Sequence, residues 1–465
     1  MKFILSFAFF ILFISALTGK RKTPNIVLFL IDDLGWKDVA CYGSDYYRTP
    51  NIDKLAKEGI RFTDAYAACA VCSPTRAAIM TGKYPARLML TEWLPSGRWQ
   101  PKAKLRSGRF LRGLPLEEVT LAEALRKADY ATCIAGKWHL GSEPFSTPAH
   151  HGFEVNIGAN EHGNPGNYFF PYKGQWSIPT TKLKARWQVL PGGKPGEYLT
   201  DRLTDEAITF LRKHREKPFF LYFSHYAVHT PFQAKKEMMK KYEAIPKERR
   251  QGKPVYAAMV ESVDDSVGRI MTTLKELSLD DDTLVIFTSD NGGFAGATNH
   301  APLRGNKGAY YEGGIRVPLV IRWPSVTKAG QVSKVPVTSS DLYPTCLAAT
   351  GLPLHPAQHR DGLDLRPVLE GAKTLDRDAL FWHYPHYNSH PSAVPSSVMR
   401  KGDWKLIETF DPKGVELYHL GRDLSEATNL AKTEPSKLAE LRKELEAWRK
   451  EVDAEKMEPN PDHRP

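Results

Sequence analysis

Five short, nearly unbroken apolar runs constrain the fold of this chain more than any other feature. They are Ile26 to Ile31, Tyr130 to Ala135, Phe219 to Phe223, Leu284 to Phe287 and Val317 to Ile321. Runs of this kind are typical of strands that are covered on both faces in a parallel sheet. Helical patterns lie between them, so the chain is predicted to form an α/β doubly wound domain. We expect a large mixed, mostly parallel sheet sandwiched by helices.

The end of the chain has a different pattern. Two short strand-like segments, Trp404 to Glu408 and Val415 to His419, precede a charged helix with an apolar stripe from Leu438 to Val452. A single hydrophobic core stops growing at roughly 250 to 300 residues, and this chain has 465. We therefore predict a main domain over residues 20–375 and a smaller α+β subdomain over residues 376–465, with a small antiparallel sheet and a terminal helix.

The amino terminus predicts export. Met1-Lys2 is followed by an apolar run from Phe3 to Ala16, which is too short to span a bilayer and is typical of a secretory signal peptide over residues 1–19. An uncleaved anchor is the alternative. We expect a periplasmic or secreted protein without an integral membrane span after cleavage, since the mean hydropathy of −0.41 argues against a polytopic membrane protein.

The net charge of the chain indicates which class of partner it binds. Lys and Arg total 64 against 53 Asp and Glu, a formal net charge of +11. An excess of this sign favours polyanionic partners such as nucleic acid, acidic lipid or acidic glycan. Export argues against nucleic acid.

Polar side chains follow four of the five apolar runs. They are Asp32 and Asp33, then Lys137 and His139, then His225 and His229, and finally Asp290 and Asn291. Ligands of open α/β sheets bind at the carboxyl ends of the strands. If these strands are parallel, the polar groups converge on one rim of the sheet.

The acidic strand ends predict a metal site. Adjacent carboxylates repel one another unless a cation neutralises them, and Asp290-Asn291 adds a carboxylate and an amide oxygen. An all-oxygen ligand set favours Ca²⁺ before Mg²⁺, because Ca²⁺ accepts irregular geometry. The alternative is that Asp32-Asp33 caps a helix and that Asp290-Asn291-Gly292 is an ordinary turn.

The segment Cys72-Ser73-Pro74-Thr75-Arg76 is the most informative motif. Ser73 is a good helix cap, Pro74 suits the first helical position and Gly82 can end the helix. Cys72 is then expected just before a helix amino terminus, where free amides attract anions. The alternative is a buried structural cysteine beside a capped helix.

These segments together resemble the formylglycine-dependent (type I) sulfatases of the alkaline-phosphatase superfamily, over nearly the whole mature chain. The motifs that carry the resemblance are the Cys72-to-Gly82 signature, Gly136-Lys137-Trp138-His139-Leu140-Gly141, Asp290-Asn291-Gly292-Gly293, Leu303-Arg304-Gly305-Asn306-Lys307-Gly308 and Glu312-Gly313-Gly314-Ile315-Arg316-Val317-Pro318. Thr75 departs from the commoner Ser or Ala and leaves the Pro and Arg intact. The resemblance implies that residues 20–375 form a catalytic sulfatase domain.

The resemblance implies a covalent mechanism. A formylglycine-generating or sulfatase-maturating enzyme would oxidise Cys72 to formylglycine, whose hydrate carries two hydroxyls. One hydroxyl attacks the sulfate ester and forms a covalent sulfo-enzyme intermediate, and the other then expels sulfate. Asp32, Asp33, Asp290 and Asn291 would bind Ca²⁺ with residue 72 nearby.

The resemblance also implies roles for the basic residues. Arg76 would hold the nucleophile, and Lys137 and Lys307 would bind sulfate oxygens. His139 would be the base that regenerates the aldehyde. His229, with Lys307, would protonate the leaving sugar oxygen. Taken singly, each Lys or His is more often a solvated charge or an ordinary hydrogen-bonding group.

The predicted substrate is a sulfated glycan, and the chain is more similar to sulfatases of galactose or N-acetylgalactosamine 4-sulfate than to choline or alkyl sulfatases. Candidate sugar contacts are Trp93, Arg98, His225, His300 and Arg304. One alternative is a superfamily phosphatase or phosphodiesterase, which would use Ser or Thr and two transition metals. The other is an inactive glycan-binding homologue whose Cys72 is never converted.

Overall fold

A computed structural model of the chain describes residues 23–95, 102–177, 184–391 and 393–463. The signal peptide predicted over residues 1–19 lies outside this part. The described residues form the following strands: β1 (Asn25–Ile31), β2 (Ile60–Phe62), β3 (Ala65–Tyr66), β4 (Leu105–Arg106), β5 (Ala131–Gly136), β6 (Val155–Ile157), β7 (Lys173–Ser177), β8 (Lys184–Gln188), β9 (Phe219–Ser224), β10 (Thr283–Ser289), β11 (Leu319–Arg322), β12 (Gln331–Ser333), β13 (Val337–Thr338), β14 (Leu380–Tyr384), β15 (Ser396–Lys401), β16 (Trp404–Phe410), β17 (Lys413–His419) and β18 (Glu458–Pro459).

The same residues form these α-helices: α1 (Pro50–Glu58), α2 (Cys72–Thr81), α3 (Leu121–Lys127), α4 (Leu199–Lys213), α5 (Lys236–Glu243), α6 (Pro254–Glu276), α7 (Glu312–Ile315), α8 (Leu342–Thr350), α9 (Arg366–Leu369) and α10 (Pro435–Glu451). None of them combines the length and the apolar sequence that a bilayer-spanning helix needs.

The main sheet has eight strands in the order β12-β2-β11-β10-β1-β9-β5-β6. Strands β10, β1, β9, β5 and β6 are mutually parallel. This confirms the prediction of a large, mostly parallel sheet. β1 lies in the middle, with Ile26 to Leu30 paired to both β9 and β10.

Both faces of the sheet are covered, which explains the continuous apolar runs. Val27, Phe29 and Ile31 of β1 point into one core with α4, α5 and α6, whereas Ile26, Leu28 and Leu30 point into a second core with α2, α3 and α8. Every residue of β1 is buried. A strand with two buried faces has no position that favours a polar side chain.

Two sequence expectations differ from the structure. The run Val317 to Ile321 forms β11, which lies antiparallel to β10. Residues 290–318 stay at the end of the sheet where β10 finishes and make no crossover, so the chain re-enters the sheet in the opposite direction. In addition, α2 begins at Cys72 itself, and the Ser73 hydroxyl accepts a hydrogen bond from the backbone N–H of Leu94 at 3.0 Å instead of capping the helix.

The carboxyl-terminal part forms the predicted subdomain. Strands β14, β15, β16 and β17 make an antiparallel sheet, and α10 packs on it through Leu441, Leu445 and Trp448. The indole of Trp448 stacks on Phe381 with ring centroids 4.8 Å apart. β18 returns to pair with β4 of the main domain. The sequence analysis identified β16 and β17 but not β14 and β15, and the boundary at residue 375 stays a prediction.

A buried ionic cluster joins the subdomain to the main domain. The Lys405 ammonium lies 2.8 Å from a carboxylate oxygen of Glu312 and 2.8 Å from one of Glu426, and all three side chains are buried. Arg316 pairs with the other oxygen of Glu312 at 2.6 Å. Lys405 therefore neutralises two acidic groups that water does not reach.

Candidate active site

The four polar strand ends meet at one rim of the sheet. β1 is followed by Asp32 and Asp33, β5 by Lys137, β9 by His225 and β10 by Asp290. These four strands are adjacent and parallel, so their carboxyl ends lie side by side. Asp33 and His139 adopt the left-handed backbone conformation, with φ of 61° and 60°. That conformation is uncommon outside glycine and is concentrated at functional sites.

Cys72 lies against this rim at the first residue of α2. Its Sγ is 3.6 Å from Oδ1 of Asp32 and 3.3 Å from Nζ of Lys307. The other oxygen of Asp32 accepts a hydrogen bond from Nζ of Lys137 at 2.7 Å. Burial raises the pKa of the Cys72 thiol to about 12, against the opposing effect of Lys137 and Lys307.

Arg76 lies one turn along the same helix and is fully buried. Its Nε and Nη2 donate to Oδ2 of Asp290 at 3.0 and 2.7 Å, and its Nη1 donates to Oγ of Ser224 at 2.5 Å. Burial alone would raise the pKa of Asp290, but the Arg76 guanidinium holds it below its usual value. Arg76 thus fixes α2, and with it Cys72, against the ends of β9 and β10.

Asp33 is bound from three sides. Its Oδ1 lies 2.6 Å from Nζ of Lys307 and accepts a hydrogen bond from Nδ2 of Asn291 at 2.8 Å. Its Oδ2 is 3.7 Å from Nε2 of His229. Burial would raise the pKa of Asp33, but Lys307 and His229 together hold it well below its usual range.

The site contains three carboxylates and three cations. Asp32, Asp33 and Asp290 face Arg76, Lys137 and Lys307, and all six side chains are buried. Burial raises the pKa of Asp32 to about 7, against Lys137 and with the neighbouring carboxylates. Burying this many charges lowers the free energy of unfolding. Such a cluster is therefore more typical of a site that binds an ion or a substrate than of a purely structural core.

Two buried oxygens of this cluster fit a cation. Oδ2 of Asp33 and Oδ1 of Asn291 accept no hydrogen bond from the described residues. Among the described residues, one group of metal-ligating side chains brings its donor atoms within 4.8 Å of one another, and its members are Asp32, Asp33, Cys72 and His229. The oxygen donors suit a hard divalent ion. His229 was not among the metal ligands predicted from the sequence.

His139 and His229 line the same cavity as Cys72. Nε2 of the His139 ring contacts the carbonyl oxygen of Leu94. Nδ1 of the same ring has no hydrogen-bond partner among the described residues. Nδ1 of His229 donates to the carbonyl oxygen of Thr230 at 2.8 Å, which leaves Nε2 directed towards Asp33. Burial, helped by Lys307, lowers the pKa of His229 to about 3, and burial also lowers that of His139.

A cavity of about 480 Å³ opens above Cys72. Trp93, His139, His229 and Lys307 line it together with Cys72. Lys137 lies beneath the cavity, fully buried behind Asp32.

The structure places three other candidate sugar contacts away from this cavity, each for a packing reason. His225 is buried in the core, stacked on Phe223 with ring centroids 4.0 Å apart. His300 is turned inward to the carbonyl oxygen of Gly293 at 3.2 Å. Arg304 lies 3.8 Å above the Tyr311 ring and donates to the Tyr418 hydroxyl at 2.8 Å. Arg98 lies outside the described residues.

The cavity has further walls that the sequence analysis missed. They are contributed by His162, Asn164, Trp176, Trp187, Phe294 and His390. The alternation of Trp176 and Trp187 with exposed polar neighbours signals two half-buried strands. No sequence pattern signals that their inner face meets the cavity.

Comparison with known proteins agrees with this geometry. The model of the family described as Sulfatase matches residues 24–352, which include the whole rim and Cys72. The chain belongs to the sulfatase family. A second model, described as N-sulphoglucosamine sulphohydrolase, C-terminal, matches residues 306–454. The enzyme is a sulfuric ester hydrolase with the fold of the alkaline-phosphatase superfamily.

Similar proteins cover most of the sulfatase. A protein named Sulfatase from Formosa agariphila is 32% identical, with 92% of this chain and 89% of that protein covered. Human N-acetylgalactosamine-6-sulfatase is 34% identical over 78% of this chain and 69% of its own length. The crystal structure of Ps i-CgsB in complex with k-i-k-neocarrahexaose has a TM-score of 0.76 and 32% identity, with 92% of both chains covered.

Proposed function

We propose that this enzyme removes sulfate from glycans through a hydrated formylglycine formed from Cys72. The observation that carries the proposal is the position of Cys72. It lies at the first residue of α2, between Asp32 and Lys307, and it lines a cavity wide enough for a sugar. The hydrated aldehyde would supply two hydroxyls on one carbon, one to attack the sulfur and one to expel sulfate.

Asp32, Asp33, Asp290 and Asn291 would hold Ca²⁺, with residue 72 and His229 beside them. When bound, the ion supplies positive charge that polarises the sulfate and lowers the pKa of the attacking hydroxyl. Oδ2 of Asp33 and Oδ1 of Asn291, which accept no hydrogen bond from the described residues, support this assignment.

The basic side chains position the sulfate. Lys307 lines the cavity and contacts both Asp33 and Cys72, so its ammonium meets the sulfate oxygens next to the nucleophile. Lys137 adds positive charge from behind Asp32. Arg76 holds residue 72 in place through its bonds to Asp290 and Ser224.

The two histidines move protons. His139 has an unpaired Nδ1 in a buried site, and we assign it as the base that regenerates the aldehyde. We assign His229 to the leaving-group oxygen. The negative charge of a bound sulfate ester raises the pKa of a neighbouring imidazole, which favours its protonated form.

The glycan assignment is supported by the aromatic cavity walls and by the net charge of +11, which suits an anionic polymer. One relative is an N-acetylgalactosamine-6-sulfatase, and Ps i-CgsB was crystallised in complex with k-i-k-neocarrahexaose. Within that class we propose galactose or N-acetylgalactosamine 4-sulfate.

Initial rates on 4-sulfated and 6-sulfated monosaccharides test this choice. Faster release of sulfate from the 4-sulfated sugar is expected, and exclusive release from the 6-sulfated sugar contradicts the proposal.

We further propose that the enzyme is exported to the periplasm or the medium and that a formylglycine-generating or sulfatase-maturating enzyme is its partner. The leader sequence supports export. The Cys72-Ser73-Pro74-Thr75-Arg76 segment supports the maturation partner.

Mass spectrometry of one tryptic peptide tests the conversion. Cleavage after Arg61 and Arg76 releases residues 62–76, which contain Cys69 and Cys72. After alkylation of thiols, we expect one alkylated cysteine and one aldehyde at residue 72, with Cys69 as the internal control. Two alkylated cysteines in active enzyme would contradict the proposed nucleophile. Two alkylated cysteines in inactive protein would indicate the glycan-binding homologue.

His229→Ala tests the role of that histidine. We expect sugar sulfates to lose about two to four orders of magnitude in kcat, because their leaving oxygens need protonation. Nitrophenyl sulfate has a good leaving group and is expected to lose much less. The measurement is kcat on both substrates across a pH series. Equal losses on the two substrates would reject the role in leaving-group protonation.

A further inference from the structure

The hairpin formed by β7 and β8 presents two tryptophans on one face. The strands pair antiparallel with Gly174 opposite Trp187 and Trp176 opposite Ala185. Directly opposed residues and alternate residues of a strand share a face of the sheet. Gly174, Trp176, Ala185 and Trp187 therefore form one face, and all four are partly buried.

Gly174 lies opposite Trp187, and because it has no side chain, the indole of Trp187 can lie over the strand. A Cβ on Gly174 would come within 2.3 Å of the Trp187 ring, so this ring covers the backbone of Gly174. Trp187 is held further by stacking on His162 with centroids 3.9 Å apart and by a 3.1 Å hydrogen bond from Nε1 to the carbonyl oxygen of Asn164. The indole of Trp187 is thus fixed in orientation.

The tryptophan face lies on the cavity that contains Cys72. Trp176 and Trp187 line this cavity together with Trp93, and the centroids of Trp93 and Trp176 are 6.4 Å apart with planes inclined by 51°. The hairpin's other face carries only exposed polar residues. Isolated two-stranded hairpins are marginally stable in water. Trp187 also packs against the main core, whereas Trp176 belongs to no hydrophobic cluster of the described residues. Because both indoles line the cavity, they indicate a surface for binding.

We propose that Trp176, Trp187 and Trp93 form a subsite for the sugar ring next to the sulfated one. A flat indole face suits the apolar C–H face of a pyranose ring, and the stacking is assigned to Trp176, because His162 and the backbone of Gly174 cover the ring of Trp187. The cavity continues from the indoles to residue 72. This subsite deepens the proposed glycan sulfatase function and rests on it. It selects oligosaccharides over monosaccharides.

The charge of the hairpin segment fits a sulfated chain that continues outward. Strands β7 and β8 contain Lys173, Lys184 and Arg186 and no acidic residue. All three basic side chains are exposed. These three cations lie on the hairpin face opposite the indoles, and their positive charge favours the approach of a polyanionic glycan to this part of the molecule.

Binding to the Cys72→Ala protein tests the subsite, because this variant binds without turnover. The probes are galactose 4-sulfate and a 4-sulfated galactan hexasaccharide, and the measurement is the Kd by isothermal titration calorimetry. Adding Trp176→Ala is expected to weaken hexasaccharide binding by at least about tenfold. Binding of the monosaccharide is expected to change by less than about twofold.

Two control variants separate stacking from folding of the hairpin. Trp176→Phe retains a flat ring and is expected to keep most of the hexasaccharide affinity. Gln175→Ala, on the opposite exposed face of β7, is expected to leave both Kd values unchanged. Equal weakening of both probes by Trp176→Ala, no weakening of either, or no hexasaccharide binding to the Cys72→Ala protein would overturn the subsite.

The result is independent of the proposed reaction. If the wild-type protein releases no sulfate but Trp176→Ala still weakens hexasaccharide binding selectively, the reaction is refuted and the subsite stands. If sulfate is released and the two probes are weakened equally, the subsite is refuted and the reaction stands.

Discussion

Cys72→Ala is expected to abolish sulfate release while the protein remains folded. Loss of the nucleophile of a covalent mechanism lowers kcat by roughly 10⁵ to 10⁶. Cys72 lies at the start of α2 on the rim of the sheet, and its side chain contacts Asp32 and Lys307, not the apolar core. We therefore expect the free energy of unfolding to change by less than about 2 kcal/mol. Steady-state turnover and urea unfolding measure the two effects.

Cys69→Ala is the matched control. Cys69 is also a buried free thiol, three residues earlier, and its Sγ lies 3.0 Å from the Tyr310 hydroxyl, outside the cavity lining. Activity should persist in this variant at a similar cost in stability. Sulfate release by purified Cys72→Ala protein at the wild-type rate would refute the assigned nucleophile.

Lys405→Met is expected to cause the largest loss of stability. The substitution removes a cation that lies 2.8 Å from both Glu312 and Glu426, and it leaves the buried Glu426 without an ion-pair partner among the described residues. Removal of one partner from a buried ionic cluster costs about 3 to 5 kcal/mol. The measurement is the free energy of unfolding from urea titration, followed by the fluorescence of the tryptophans. The subdomain sheet is expected to separate from the main domain first, because the cluster bridges the two.

Lys401→Met provides the control for Lys405→Met. Lys401 lies on the neighbouring strand β15 and pairs with Glu444 at 2.7 Å, with its side chain 35% exposed. A solvent-exposed pair contributes at most about 1 kcal/mol. Losses of equal size in the two variants would show that burial of Lys405 does not increase its contribution to the free energy of unfolding. The double variant that adds Glu426→Gln is expected to recover part of the loss, since it removes the carboxylate that has lost its cation, whereas Glu312 keeps Arg316 as a partner at 2.6 Å.

The strands and the charged rim were predictable because both depend on local sequence. Strand β1 is buried on both faces, so its run is apolar throughout and ends at the first residues that meet the site, Asp32 and Asp33. The same rule located Lys137, His229 and Asp290. Their convergence required parallel strands, which a buried apolar run indicates but does not prove.

Other features were decided by distant contacts. β11 runs antiparallel because residues 290–318 remain on one rim, and a run of apolar residues has no direction. His225 follows a strand like the other site residues, yet its ring packs on Phe223 in the core. The two strands β14 and β15 are short, and they are defined by pairing with each other and with β16.

The sequence by itself determined the parallel core, the presence of a helix that ends at Gly82 next to Cys72, and the set of acidic and basic groups at the strand ends, because these follow from local burial and from motifs. Only the tertiary structure decided which of those groups share a cavity and that Trp176 and Trp187 of a polar hairpin complete its wall. The physical reason is that burial pattern is periodic along the chain, whereas the partner that covers a face can come from any distance in sequence.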